Sequence, residues 1–224
     1  MRGYGLVLGL MLAHGALAQD SVPAAGPLAN ADFYNLVACG ASPGQTCALP
    51  LVRWSAARAE DVTVSLYQTD PGYPKVRRRA IQKALFAAID QINACHAGLR
   101  LHFAPEGEVA DVTVHFLDIE TGDQIRGTGL DPLDGSTIQA ALTQMWWNGN
   151  LELTRAAIVF PRNIEWDGLP SIALEELTQA MGLRTDIDNP WYETRSVFSE
   201  TSNSVTQLGE QDIMALRRHY PLGN

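Results

Sequence analysis

The chain has 224 residues and a formal net charge of −9, from 16 lysines and arginines against 25 aspartates and glutamates. This acidic balance excludes a protein that binds nucleic acid through the phosphate backbone, because such proteins carry basic surfaces. The length allows one domain with a substantial hydrophobic core.

Residues 1–18 have the pattern of a secretory signal peptide. The basic Arg2 precedes an apolar run at 5–13, and Ala16-Leu17-Ala18 forms a cleavage site of small residues. Because the apolar run is much shorter than the roughly 20 residues that cross a bilayer, we expect cleavage after Ala18 and no membrane span in the mature chain. The sequence therefore predicts a secreted or periplasmic protein.

Residues 19–52 are predicted to form an extended leader ahead of one domain at 53–224. They are rich in Ala, Pro, Gly and Asn and show no hydrophobic period. Cys39 and Cys47 flank a loop of turn-forming residues, and we expect them to form a disulfide, whereas Cys95 lies in an apolar helical stretch and is expected to stay free. A bridge from Cys95 to either of the other two cysteines is the alternative.

Hydrophobic periodicity predicts an α+β domain in which strands and helices are mixed along the chain. Alternation with a period of two indicates strands, and apolar spacings of three and four indicate helices. The predicted strands are 61–68, 99–103, 110–118 and 155–161, and the predicted helices are 75–97, 170–182 and 209–221. Residues 136–150 fit either a short helix or a hairpin arm, and residues 186–207 are predicted to be irregular.

The second predicted helix keeps the spacing of a zinc-peptidase helix but lacks its histidines. In the pattern H-E-x-x-H-x-x-G-x-x-H, Glu175 stands at the first His and Gln179 at the second, and Thr185 stands at the third. Glu176 occupies the position of the catalytic Glu, and Gly182 that of the Gly. The helix thus retains the frame of the motif with oxygen-bearing side chains in place of imidazoles.

These oxygen-bearing side chains make a zinc site unfavourable. Glu175 and Gln179 lie four residues apart, on one face of a helix, and Asp186 follows closely. Three oxygen donors suit calcium, magnesium or manganese better than zinc, which prefers nitrogen and sulfur. We expect no bound metal and no other cofactor, with Glu175, Gln179 and Asp186 as the candidate ligands if a metal does bind.

Glu176 is the candidate general base of a hydrolase. A general base at this position works on a metal-bound water, so without a metal the residue lacks its usual chemistry. We expect instead a buried carboxylate that is paired with a backbone N–H or with one of the arginines Arg184, Arg195 and Arg217.

Four further side chains of the predicted strands are of interest. His102 and His115 lie on the polar faces of their strands, so we expect both to be solvated. Of the adjacent Trp146 and Trp147, one is expected in the core and the other partly exposed, because neighbouring residues of a strand point to opposite faces.

The order of these elements resembles the catalytic domain of metzincin-type zinc metallopeptidases, with matrix metalloproteinases as the nearest well-known pattern. ADVTVHF (110–116) resembles their strand Asp-Ile-x-Val-x-Phe, EELTQAMGL (175–183) aligns with their zinc helix, and LGEQDIMALRRHYP (208–221) resembles their closing helix. Ser196-Val197-Phe198 falls at their methionine turn. A closer resemblance is to a family of exported bacterial proteins of unknown function with Glu-Glu in place of His-Glu.

The resemblance covers residues 53–221 and implies a zincin-like fold: a mixed sheet, a long packing helix, a degenerate active-site helix and a C-terminal helix. We therefore expect a non-catalytic pseudo-metallopeptidase that binds a peptide or protein partner in the cell envelope. One alternative is an active hydrolase with an oxygen-ligand metal site at Glu175, Gln179 and Asp186 and with Glu176 as the base. The other is a structural envelope protein.

Overall fold

A computed structural model describes residues 15–18 and 20–223 as a mixed α+β fold, as the sequence predicts. Residues 1–14 of the predicted signal peptide lie outside the described residues. The strands are β1 (Gly15–Ala18), β2 (Asp20–Pro23), β3 (Val62–Thr69), β4 (Leu101–Phe103), β5 (Val112–Leu117), β6 (Leu142–Trp147), β7 (Leu153–Pro161) and β8 (Thr185–Asp188), and the helices are α1 (Asn30–Cys39), α2 (Ala56–Ala59), α3 (Lys75–Ala94), α4 (Leu169–Gln179) and α5 (Glu210–His219).

The main sheet is mixed, with the strand order β1-β6-β7-β5-β3-β4. Strands β7, β5, β3 and β4 run parallel, β6 is antiparallel to β7, and β1 is antiparallel to β6. Residues 136–150, for which the sequence left two choices, thus contain a strand close to one edge of the sheet. A separate parallel pair joins β2 to β8.

Helix α3 covers one face of this sheet. Its residues Ile81, Leu85 and Ile92 are fully buried and belong to the same core cluster as Val114 of β5 and Ile158 of β7. Their spacing of four and seven residues places them on one side of the helix, which explains why the sequence pattern located this helix correctly. Helix α4 packs against α3 and extends the same layer.

The loop between β5 and β6 covers the opposite face of the sheet. Its residues Ile125, Leu133 and Ile138 form a second apolar cluster, to which Trp146 of β6 also belongs. Trp146 is 5 % exposed and Trp147 is only partly buried, so the expectation of one core tryptophan is confirmed. Both faces are covered because the parallel strands of such a sheet are apolar on both sides.

The prediction of an extended leader is wrong for Asn30–Cys39, which form helix α1. Phe33, Leu36 and Val37 of this helix are fully buried in the main core, and the Phe33 ring lies 5.4 Å from that of Tyr192. The spacing of these three residues is helical, but it stands in a stretch rich in residues that favour turns. Packing against α5 and β8 stabilises the helix in this structure.

The prediction of a solvated His115 is also wrong. Strand β5 lies between β3 and β7, and the His115 ring is enclosed 3.0 Å from Gln68 Oε1 and 3.0 Å from Thr113 Oγ1. Burial lowers the pKa of His115 to about 4. His102 lies on the edge strand β4 and is exposed, as predicted, with its Nδ1 3.2 Å from Asp61.

Cys39 and Cys47 form a disulfide with 5.2 Å between their Cα atoms, and Cys95 is buried as a free thiol. Thiol titration of the denatured, unreduced protein should therefore find one free thiol per chain, and three after reduction. Because burial raises the pKa of Cys95 to about 11, its thiol should react slowly while the protein is folded. A peptide map that places Cys95 in the bridge would contradict this pairing.

Gly182 lies in the turn that joins α4 to β8. Its φ of +94° is a backbone conformation that residues with a side chain rarely adopt. A Cβ at this position would also collide with the carbonyl oxygen of Val52. Gly44 has φ +72° in open space, so it is the matched control. We expect Gly44→Ala to lower the free energy of unfolding by about 1 kcal/mol and Gly182→Ala by more than about 3 kcal/mol. Urea denaturation measures both, and equal losses would show that the Gly182 turn is not tightly packed.

Candidate functional site

The candidate site lies where α4 turns back into β8. Gly182 and the short turn after α4 bring β8 alongside the end of the helix, so that Gln179 Nε2 donates a hydrogen bond to Asp186 Oδ1 at 2.9 Å. Gln179 is fully buried and Asp186 is 3 % exposed. Two of the three candidate oxygen ligands are therefore in direct contact inside the protein.

Glu175, the third candidate ligand, is half-buried on the same face of α4. Burial raises the pKa of Glu175 well above its ordinary range, and the nearby carboxylates of Asp186 and Glu176 raise it further. The structure thus brings Glu175, Gln179 and Asp186 together. Thr185, at the position of the third histidine, is also buried. In residues 15–18 and 20–223, no three His, Cys, Asp or Glu side chains are arranged so that they could hold a metal ion.

Glu176 is paired with a hydroxyl, and the predicted partners are wrong. The Thr143 hydroxyl of β6 lies 2.5 Å from Glu176 Oε2 and 3.1 Å from the Glu176 backbone oxygen. Burial raises the pKa of Glu176 to about 7, although the hydrogen bond from Thr143 lowers it. A neutral partner is sufficient because a protonated carboxyl does not need a counter-charge.

The three arginines that the sequence offered as partners of Glu176 lie elsewhere. Arg184 lies 5.2 Å from the Trp147 ring and Arg195 lies 4.2 Å from the Trp191 ring. Arg217 donates to the carbonyl oxygen of Cys95 at 2.6 Å. The sequence did not indicate Thr143 as the partner because it left the secondary structure of this region open.

Asp212 of α5 holds the predicted turn at Ser196-Val197-Phe198. The Ser196 hydroxyl donates to Asp212 Oδ1 at 2.6 Å, and the Val197 N–H donates to Asp212 Oδ2 at 3.1 Å. Burial raises the pKa of Asp212 to about 6. The Ile187 N–H donates to the Phe198 carbonyl at 2.7 Å, so the turn is bonded directly to β8. The spacing Gly209-x-x-Asp212 is typical of a capping box at the start of a helix, and it was the one sequence pattern that could have drawn attention to Asp212.

A cavity of about 180 Å³ opens between these elements, and we call it the acidic pocket. It is lined by Glu175 and Glu176 of α4, Asp186 of β8, and Ser199 and Glu200, which follow the turn. Among the described residues that line it, none is basic. No sequence pattern marks Ser199 or Glu200, because they belong to a segment without any hydrophobic period.

Comparison of the chain with protein-family models and with curated proteins finds no match of either kind. Within the described part of the chain, no helix combines the length and the apolar character that a membrane-spanning helix needs. The structure therefore supports an α+β fold with a disulfide and an acidic pocket, and the zincin-like relationship stays a prediction.

Glu176 should make the stability of the protein depend on pH. Its pKa is about 7 in the folded protein against an ordinary value of 4.5, so its contribution to stability is fully present below pH 4.5 and is lost as the pH rises to about 7. Glu176→Gln does not ionise. The free energy of unfolding of Glu176→Gln minus that of wild type should therefore rise by on the order of 3 kcal/mol as the pH rises from 4.5 to about 7.

Urea denaturation at several pH values measures this difference, with the exposed Glu108→Gln as the surface control. If the free energies of unfolding of Glu176→Gln and wild type differ by the same amount at acidic and neutral pH, the pKa of the buried carboxyl is not raised.

Proposed function

We propose that this chain is an exported, zincin-like binding protein that holds an extended peptide segment of an envelope partner against strand β6. The mixed sheet, the helix with Glu175 and Glu176, and the turn at 196–198 support the zincin-like relationship. The disulfide supports an oxidising compartment outside the cytoplasm. The signal-peptide pattern of residues 1–18 gives the route of export.

The pairing of β1 with β6 carries this proposal. Gly15 pairs with Trp146 and Ala18 with Thr143, so that a short extended segment lies antiparallel along the strand. The paired segment belongs to the predicted signal peptide. Its removal would leave the outer backbone groups of β6 without this partner, and such an edge is a ready site for a strand from another chain.

The side chains near this edge favour binding over catalysis. The Gln179 amide is bonded to Asp186, and the Glu176 carboxyl is bonded to the Thr143 hydroxyl. The carboxyls of Glu176 and Asp186, which a hydrolase would direct at a water and at a metal, therefore each have a partner within the protein. A second candidate is a hydrolase with an oxygen-ligand metal site, which the contact between Gln179 and Asp186 beside Glu175 favours.

A peptide with the sequence of residues 15–20 should bind the exported, processed protein by strand addition, because processing after Ala18 would vacate β6 and leave β2 on β8. The chain is expressed with export, its N-terminus is determined by mass spectrometry, and binding of the labelled peptide is followed by fluorescence anisotropy. The matched control is the same peptide with alternate backbone nitrogens methylated, which removes the N–H donors but keeps the side chains. We expect this control to bind at least about tenfold more weakly.

Unprocessed protein, which keeps residues 15–18, should also bind the peptide at least about tenfold more weakly, because its own segment occupies β6. Equal binding of both peptides, or equal binding by both forms of the protein, would refute strand addition. Cleavage of the peptide on addition of calcium, magnesium or manganese, abolished by Glu176→Gln, would instead support the hydrolase.

A further inference from the structure

The acidic pocket has buried polar groups that lack hydrogen-bond partners within the described structure. The Ser199 hydroxyl lines the pocket and is 2 % exposed, yet no described residue forms a hydrogen bond to its Oγ. Gln179 Oε1, beside the pocket residue Asp186, is also buried without a partner there. Buried polar groups are nearly always satisfied, so these oxygens indicate space for a hydrogen-bond donor from outside.

The pocket also lies along the course that the N-terminal segment takes across the site. Ala18 pairs with Thr143, whose hydroxyl is bonded to the pocket residue Glu176. Ser21 pairs with the pocket residue Asp186, and its hydroxyl is bonded to Glu200. The pocket residues therefore contact both β6 and β2, and processing after Ala18 would open the place beside β6 while Ser21 stays on β8.

We infer that the acidic pocket binds the guanidinium group of an arginine in the partner peptide, one or two residues after the stretch paired with β6. This inference rests on the proposed peptide binding. The carboxyls come from α4, β8 and the segment at 199–200, and Glu176, Asp186 and Glu200 each have a separate partner in the protein. These carboxyls line one cavity, but among the described residues they are not arranged so that three of them could hold a metal ion.

A guanidinium group fits this arrangement better than a bare divalent ion. Its five N–H donors spread over a plane and can reach carboxylates on several sides, and the Ser199 oxygen can accept one of them. A calcium ion needs six to eight oxygens that converge at about 2.3–2.6 Å. The cavity of about 180 Å³ has room for the head of an arginine side chain.

The test compares arginine with citrulline, which has nearly the same shape but no charge. The parent peptide has the sequence of residues 15–20, and its variants carry Gln19→Arg or Asp20→Arg, each with a matched citrulline peptide. Binding to the exported, processed protein is measured by anisotropy in EDTA, which removes divalent ions. At about pH 8, at least one arginine peptide should bind roughly tenfold more tightly than its citrulline match.

This preference should shrink in the variants Glu175→Gln and Glu200→Gln, which keep the side-chain shape. Circular dichroism confirms that each variant is folded. Equal affinities for the arginine and citrulline peptides at about pH 8, with the parent peptide still bound, would overturn the arginine pocket but not strand addition. Failure of every peptide to bind would overturn both.

Discussion

The carboxyl groups buried between α4, β6 and β8 are the constraint on which the site depends. Glu176 is bonded to the Thr143 hydroxyl and Asp186 to the Gln179 amide, so both observed partners are uncharged. Burial without an ionic partner favours the neutral acid, and both groups have raised pKa values for this reason. The surroundings of both groups thus favour the neutral carboxylic acid over the carboxylate.

The sheet topology explains why these groups meet. Four parallel strands need cover on both faces, which α3 and α4 provide on one side and the loop between β5 and β6 provides on the other. The antiparallel β6 then lies beside α4, and Thr143 reaches Glu176. The turn at Gly182, which has no room for a side chain, returns the chain so that β8 closes the opposite side of the pocket.

Strand β6 and the acidic pocket are the two parts of the proposed binding site. In the proposed complex, β6 would supply backbone groups, which bind without regard to sequence, and the pocket would supply carboxyls, which distinguish one side chain from another. Residues 15–18 pair with β6, and residues 20–23, which would remain in the processed chain, pair with β8. Affinity and specificity would then arise from different parts of the same site.

Local pattern in the sequence was sufficient for most helices and strands of the domain, because apolar periodicity directly reflects which face of an element is buried. It also placed Glu175 and Gln179 on one face of α4 and favoured the disulfide between Cys39 and Cys47. It was not sufficient for α1, whose apolar residues stand in a stretch that resembles a leader.

Only the tertiary structure decided which groups lie opposite one another. Periodicity carries no information on strand order, so the sequence did not reveal that β5 is central and that His115 is therefore buried. For the same reason it suggested arginines for Glu176, whereas the fold brings Thr143 from a strand whose position in the sheet was unknown. The charge and spacing of the site residues were fixed locally, but their partners depended on contacts between elements far apart in the chain.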